Sequence, residues 1–296
     1  MNKFEKNVIN AHKQLTADVL FVKIALSTSY NGILPLYKTK GGYFMTDAKT
    51  LAYINMYAVL GAIENLCELD EKASELVKTK KPVSIGLEVK GGPSATLFFK
   101  NGRCRMEQGT QNCDVLLPFS TPEKFNAMVD GTGSALPSKG FSKIMFLLKK
   151  FIPLTDLLSK YLRATEEDLK DDKFFEISTK LMFYVITVAL SQIGNNDEIG
   201  KFSASFIPDG IIDVSIKDCV GATIRVKDHH MVTIKQKPEA YRSQMEFDNI
   251  RLARDLFDGK VNSIACIGEG TIAMHGQINM IDNVNRILDR VALYLA

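Results

Sequence analysis

The stretch Ile85 to Lys100, IGLEVKGGPSATLFFK, returns in altered form as Ile212 to Lys227, IDVSIKDCVGATIRVK. Both read Ile-x-(Leu/Val)-x-(Val/Ile)-Lys, four residues, Ala-Thr, three residues and a Lys. Alternating apolar residues on either side of a short turn are the pattern of a β-hairpin. The match continues outward. Asn101-Gly102 stands where Asp228-His229 stands, and, with one residue slipped, Phe119-Ser120 meets Phe247-Asp248 and Asp130-Gly131 meets Asp258-Gly259. A repeat of this kind constrains the fold more than any single element, because each copy must build the same supersecondary unit.

Two units suit a chain of 296 residues, a length at which one core commonly gives way to two. Hydrophobic residues make up 46% and charged residues 24%, the balance of a globular protein. A formal net charge of +3 offers no basic field for nucleic acid, which is not an expected partner. Cys67, Cys104, Cys113, Cys219 and Cys266 are scattered without a Cys-x-x-Cys, as expected of reduced thiols acting as small buried side chains. The opening MNKFEKNVINAHKQL has acids and amides where a secretion signal needs an apolar run. The longest apolar stretches read as far shorter than the ~20 residues that cross a bilayer. The expected location is the cytoplasm.

Taken in order, Asn7 to Leu26 reads as a helix with Val8, Leu15, Val19, Val22 and Leu26 near helical spacing, followed by a Gly- and Pro-rich connection from Tyr30 to Tyr43. Thr46 or Asp47 caps a long helix running to about Val77. Strands are expected at Val83 to Val89, Ala95 to Lys100, Arg103 to Glu107 and Asp114 to Phe119. Ser120-Thr121-Pro122-Glu123 then starts a helix that Gly131 ends. Gly133 to Gly140 is a loop, and Pro153 splits the apolar run that follows into two short helices. Charged residues from Ala164 to Lys173 mark the boundary between units. In the second unit a helix is expected at Phe174 to Ile193. Strands are expected at Phe202 to Ile207, Ile211 to Lys217, Ala222 to Val226 and Met231 to Lys235. Asp248 caps the helix Ile250 to Phe257. Ile272, Met274, Gly276 and Ile278 share one face of a half-buried strand, and Met280 to Leu295 is an amphipathic helix. The expected fold class is α+β: two similar units, residues 46–165 and 166–296, each a mostly antiparallel sheet of about five strands covered by helices, after an N-terminal helical extension over 1–45.

These residues resemble a known family. CDVLLPFSTPEKFNAMVDG is similar to the segment of the sterol carrier protein type two family in which a strand leads into a Ser-Pro-Glu-capped helix ending in Gly. DNIRLARDLFDGKVNSIACIGEGTIAMHGQINMIDNVNRIL resembles the family's closing segment, with Gly270-Thr271-Ile272 and Gly276 on its Gly-x-Ile-x-x-x-Gly strand. The first half departs from that pattern, since FSKIMFLLKKFIPL reads as helix where the family has the strand. The resemblance implies a five-stranded sheet and helices around an apolar tunnel, and non-catalytic binding or transfer of a sterol, fatty acid, acyl thioester or other lipid without a cofactor. Candidate lining residues are Phe125, Met128, Val129, Phe146, Leu147 and Phe151 in the first unit. In the second they are Leu256, Phe257, Ile272, Met274 and Ile278. Each could equally belong to a filled core, and the alternative function is an assembly protein without a ligand.

No nucleophile elbow, phosphate loop or complete dinucleotide fingerprint is present in the sequence, and no polar cluster suggests an enzyme. Neither His229-His230 nor His275 has a carboxylate or thiol at ligand spacing. Lys143, Lys149, Lys150, Lys160 and Arg163 alternate with apolar residues. That leaves residues 143–163 three readings: core helices joining the halves, a lid, or transient membrane contact. Oligomerisation stays open.

Overall fold

The computed structural model describes residues 46–295. The expected N-terminal extension and its helix from Asn7 to Leu26 lie outside the described residues. Helix α1 (48–69) begins where both Asp47 carboxylate oxygens take backbone N–H groups, from Thr50 at 2.8 Å and Lys49 at 3.3 Å. It stays continuous through a π-helical turn at Asn55–Val59 and a 3₁₀ turn at Leu60–Ala62. It does not run to Val77. Asp70 stops it in an extended conformation and caps a second helix, α2 (Glu71–Val77).

Strands β1 (Val83–Val89), β2 (Ser94–Lys100), β3 (Arg103–Gln108) and β4 (Val115–Phe119) form a sheet of order β3-β2-β1-β4. Helix α3 (Pro122–Val129) follows, capped by Thr121, and then a helical run α4 (141–162). Helix α5 (Asp172–Asn196) opens the second half, and α6 (Glu198–Ala204) follows it. Strands β5 (Gly210–Ile216), β6 (Val220–Lys227), β7 (His230–Ile234), β8 (Ser243–Phe247) and β9 (Ile272–Gly276) form a sheet of order β7-β6-β5-β8-β9. Helices α7 (Ile250–Phe257) and α8 (Ser263–Gly268) lie between β8 and β9, and α9 (Ile278–Leu295) closes the described chain.

The two sheets share their register as well as their order. Ile85 faces Leu97 and Ile212 faces Ile224, both displaced by 127 residues. On the parallel side Ile85 faces Val115 and Ile212 faces Ser243, so the fourth strand is displaced by 128. The slipped residue therefore lies between the third and fourth strands. Small details repeat too. Thr96 Oγ1 donates to Gly109 O at 2.7 Å, and Thr223 Oγ1 donates to Gln236 O at 2.7 Å. Asn101 and Asp228, at φ 52° and 50°, share the left-handed turn between the second and third strands.

The fifth strand is where the sheets part. In the second, β9 pairs antiparallel with β8 over five residues. In the first, only the bridge between Leu116 and Lys139 remains. Gly140 (φ 88°) and Gly276 (φ 95°) occupy matching places after it, because a Cβ there would strike the carbonyl oxygen of Asp114 or Arg242. The first sheet therefore has four strands rather than about five.

Other expectations are corrected. Phe202 to Ile207 is no strand: Phe202 sits in α6, and the chain turns after Ala204. Ser243–Phe247 is a strand and Ser263–Gly268 a helix, and neither was expected from the sequence. The cap of α7 is Asn249, not Asp248. Pro153 does not split α4. A π-helical turn at Leu147–Phe151 comes just before it, widening the backbone where the proline ring would otherwise crowd a carbonyl. Helix α5 is 25 residues long and apolar enough to cross a membrane by length and composition, contrary to the sequence estimate; 67% of that window is buried in the fold.

Helix α5 packs on α1, β7 and α9, so one apolar core runs through both halves. Glu64 on α1 joins the two edge strands. It takes the Met106 N–H of β3 at 2.7 Å and the Lys235 ammonium, just after β7, at 3.0 Å. Each half also has a buried aspartate at the joint of its first two helices. Asp70 accepts Ala73 N–H (2.7 Å) and the Tyr161 hydroxyl of α4 (2.6 Å). Asp197 accepts Gly200 N–H (2.8 Å), the Arg290 guanidinium (2.6 Å) and the Tyr294 hydroxyl of α9 (2.8 Å).

Candidate functional site

The two sets of candidate residues occupy corresponding places with different packing. In the first unit, Thr121 Oγ1 and the proline at the first turn fix the start of α3, which turns Phe125 into the sheet. Phe125 is fully buried and meets Phe119 of β4 edge-on at 5.1 Å. Phe146 and Phe151 of α4 close on Phe99 of β2 at 5.4 and 6.2 Å. Met128, Val129 and Leu147 are buried as well. All six candidates thus lie in one packed aromatic and aliphatic layer.

In the second unit the 128-residue displacement puts Ala253 where Phe125 stands, Leu256 at Met128 and Phe257 at Val129. Asn249 Oδ1 accepts Leu252 N–H at 2.9 Å and sets α7. Arg254, buried, ties α7 to α5 through the Ser178 hydroxyl (2.7 Å) and to Asp258 at its own C-terminus (3.0 Å). That anchor spends the inner face of α7 on Ala253 and Arg254. Leu256 and Phe257 are left half-buried, with Phe257 edge-on to Phe247 of β8 at 6.0 Å. Met274 on β9 is half-buried and Ile272 is buried.

Against β9 packs α8. Asn262 caps it, Cys266 is its buried anchor, and Thr271 ties it to β9 through N–H and hydroxyl bonds to Cys266 O. Ile264 and Ile267 point outward, at 77% and 37% exposure. Neither was a candidate, although their place in the eight residues by which this connection exceeds its counterpart marks them as local to the second unit. Ile278 does not join the site. It begins α9 instead of continuing β9, and it is 83% exposed.

Burial pushes the Cys67 thiol up to about 12 and the Cys104 thiol well above its ordinary value, which leaves both protonated near neutral pH. His229 and His230 stand at the β6–β7 turn, and His275 is exposed near the end of β9. Among the described residues, no group of three or more His, Cys, Asp or Glu side chains could hold a metal ion. Residues 143–163 are neither detached nor wholly outward: Phe146, Leu147, Phe151, Leu154 and Leu158 are buried, and Lys150 Nζ holds the C-terminal carbonyls of α2 at Leu76 O (2.7 Å) and Lys78 O (3.1 Å).

No protein-family model matches the chain, and no curated protein sequence matches it. Among solved structures it is similar to the sterol carrier protein domain 2 of Helicoverpa armigera, at 14% identity over 38% of this chain and 88% of that one, with a TM-score of 0.31. It is also similar to a UbiJ-SCP2 ubiquinone synthesis protein, at 14% identity over 34% and 88%, with a TM-score of 0.29. A crystal structure of sterol carrier protein 2 matches at 13% identity over 38% and 98%, with a TM-score of 0.28.

Proposed function

We propose that the protein binds or carries an apolar ligand, without catalysis, and that the second unit holds it. The observation that carries this reading is the exchange of Phe125 for Ala253 at matching places between sheet and helix. In the first unit an aromatic ring fills that place; in the second an alanine takes it, while Leu256 and Phe257 on the same helix and Met274 on β9 remain half-buried. Apolar area left in contact with water favours an apolar ligand by roughly 25 cal/mol per square ångström covered. The ligand class follows the resemblance of residues 248–288 to the closing segment of the sterol carrier family: a fatty acid, acyl thioester, sterol or similar lipid. In this reading the two units are copies of one duplicated ancestor, of which the first has become a packed support. The working location is the cytoplasm.

Native mass spectrometry of the protein, before and after incubation with a fatty acid, an acyl thioester and a sterol, tests the proposal. One bound lipid per chain is the expected result. An unchanged protein mass with all three would overturn it and favour an assembly role.

A further inference from the structure

We infer that the N-terminal segment, residues 7–26, docks on an apolar stripe along α6 of the second unit. Ile199, Phe202 and Phe206 fall on one side of α6 and the turn after it, at 45%, 63% and 51% exposure. The two phenyl rings meet edge-on at 5.0 Å. Ile278 extends the stripe: its neighbour Asn279 donates to Phe206 O at 2.9 Å, and Ile278 is 83% exposed. Large exposed apolar side chains standing together mark a contact surface.

The first unit supplies an internal control. Helices α2 and α6 begin at Asp70 and Asp197, which are 127 residues apart and cap their helices alike. At the same displacement, Ile199, Phe202 and Phe206 correspond to Lys72, Glu75 and Thr79. A helix in this position that faces water therefore carries polar residues, and α6 does not.

The route of the chain selects the occupant. Asp47 N–H donates to the Tyr294 hydroxyl at 3.0 Å, and that hydroxyl donates to Asp197 at 2.8 Å. The chain thus enters α1 two hydrogen bonds from the cap of α6, at the Ile199 end of the stripe. Ahead of Asp47 stand 46 residues, among them Val8, Leu15, Val19, Val22 and Leu26 near helical spacing. As a helix, residues 7–26 would be about 30 Å long, and the stretch from residue 27 to 45 could span about 60 Å extended. Both exceed the roughly 10 Å that separate Ile199 from Phe206 along the helix. Charges beside the stripe are mixed (Glu198, Lys201, Asp209, Arg242, Asp282), which favours an apolar segment over an anionic lipid surface.

The test is hydrogen exchange read by mass spectrometry on the full chain and on the triple variant Ile199→Lys, Phe202→Glu, Phe206→Thr, which gives α6 the surface of α2. Amides of residues 7–26 should be protected in the parent and exchange about tenfold faster or more in the variant, with β5 and β6 unchanged. If β5 or β6 loses protection, Phe202→Glu alone carries the same expectation. Equal exchange of residues 7–26 in parent and variant overturns the inference. So does a variant that only splits a dimer in sedimentation, or only loses binding to phosphatidylcholine vesicles, while residues 7–26 keep their exchange rate.

Discussion

Where the first unit sets Phe125 against Phe119, the second has Ala253 and Phe247 at the corresponding positions, and the surroundings differ accordingly. The first unit lacks a fifth strand and closes on itself with Phe99, Phe146 and Phe151. The second keeps the fifth strand and inserts α8, but it anchors α7 through Arg254 instead of an aromatic ring. One architecture thus holds two packings. A site for an apolar ligand needs incomplete filling between sheet and helix; all six candidates of the first unit are buried, whereas Leu256, Phe257 and Met274 of the second are half-buried.

The largest expected difference between the halves lies at the paired aspartates. Asp197→Ala strands the buried Arg290 and should cost about 3–5 kcal/mol. Asp70→Ala loses a cap and one tyrosine bond, about 1–3 kcal/mol. Urea midpoints at unchanged slope measure both, and equal shifts would break the comparison.

Next come the plug residues. Phe125→Ala should cost about 3–5 kcal/mol, as the loss of a fully buried ring does. On the ligand-site reading Ala253→Phe should cost less than the ~1–3 kcal/mol of forcing extra side chain into a filled core, and suppress ligand uptake, because the ring would take the space assigned to the ligand. A cost near 3 kcal/mol would mean that the second unit is as full as the first.

The smallest effects concern pH. Burial, assisted by the neighbouring carboxylates, raises the Tyr161 and Tyr294 hydroxyls above the ordinary tyrosine value. A raised folded pKa gives stability that is present below about 10 and lost as pH rises through the raised value. Tyr161→Phe should remove part of that alkaline loss, at a neutral-pH cost of about 1 kcal/mol. At the acid end, burial works to raise the Asp197 carboxyl, but bonds from Arg290, Gly200 and Tyr294 hold it below its ordinary value. Its contribution is therefore present above about 3.9 and lost as pH falls through the lowered value. Midpoints followed from pH 3 to 11 in the parent and Tyr161→Phe would show both limbs, and an unaltered alkaline limb in the variant would contradict the assignment.

Much of the sheet order was written in the repeat: Ile85 with Ile212 and Thr96 with Thr223 already carry the register that both sheets use. Other parts were hidden for physical reasons. Ser243–Phe247 went unread although Met245 and Phe247 alternate with Gln244 and Glu246 as in a half-buried strand, because only two large apolar residues carry the pattern; the alignment of Phe119 with Phe247 could have revealed it. Phe202 to Ile207 imitates a strand because its aromatics are exposed on a helix, where periodicity normally expects polar residues. Ile278 continues the alternation of β9 on paper, but Gly276 at φ 95° turns the chain into α9 first. The contrast between packed and half-buried candidates was not readable at all, since Met128 and Leu256 are equally apolar and differ only in what covers them.

The most direct measurement is photolabelling of the full-length protein with a diazirine fatty acid, followed by peptide mapping. Saturable labelling at one site per chain, in peptides between Leu252 and Met274, is the expected result. Label in peptides from Phe125 to Phe151, or no saturable label anywhere, would contradict the assignment of an apolar ligand to the second unit.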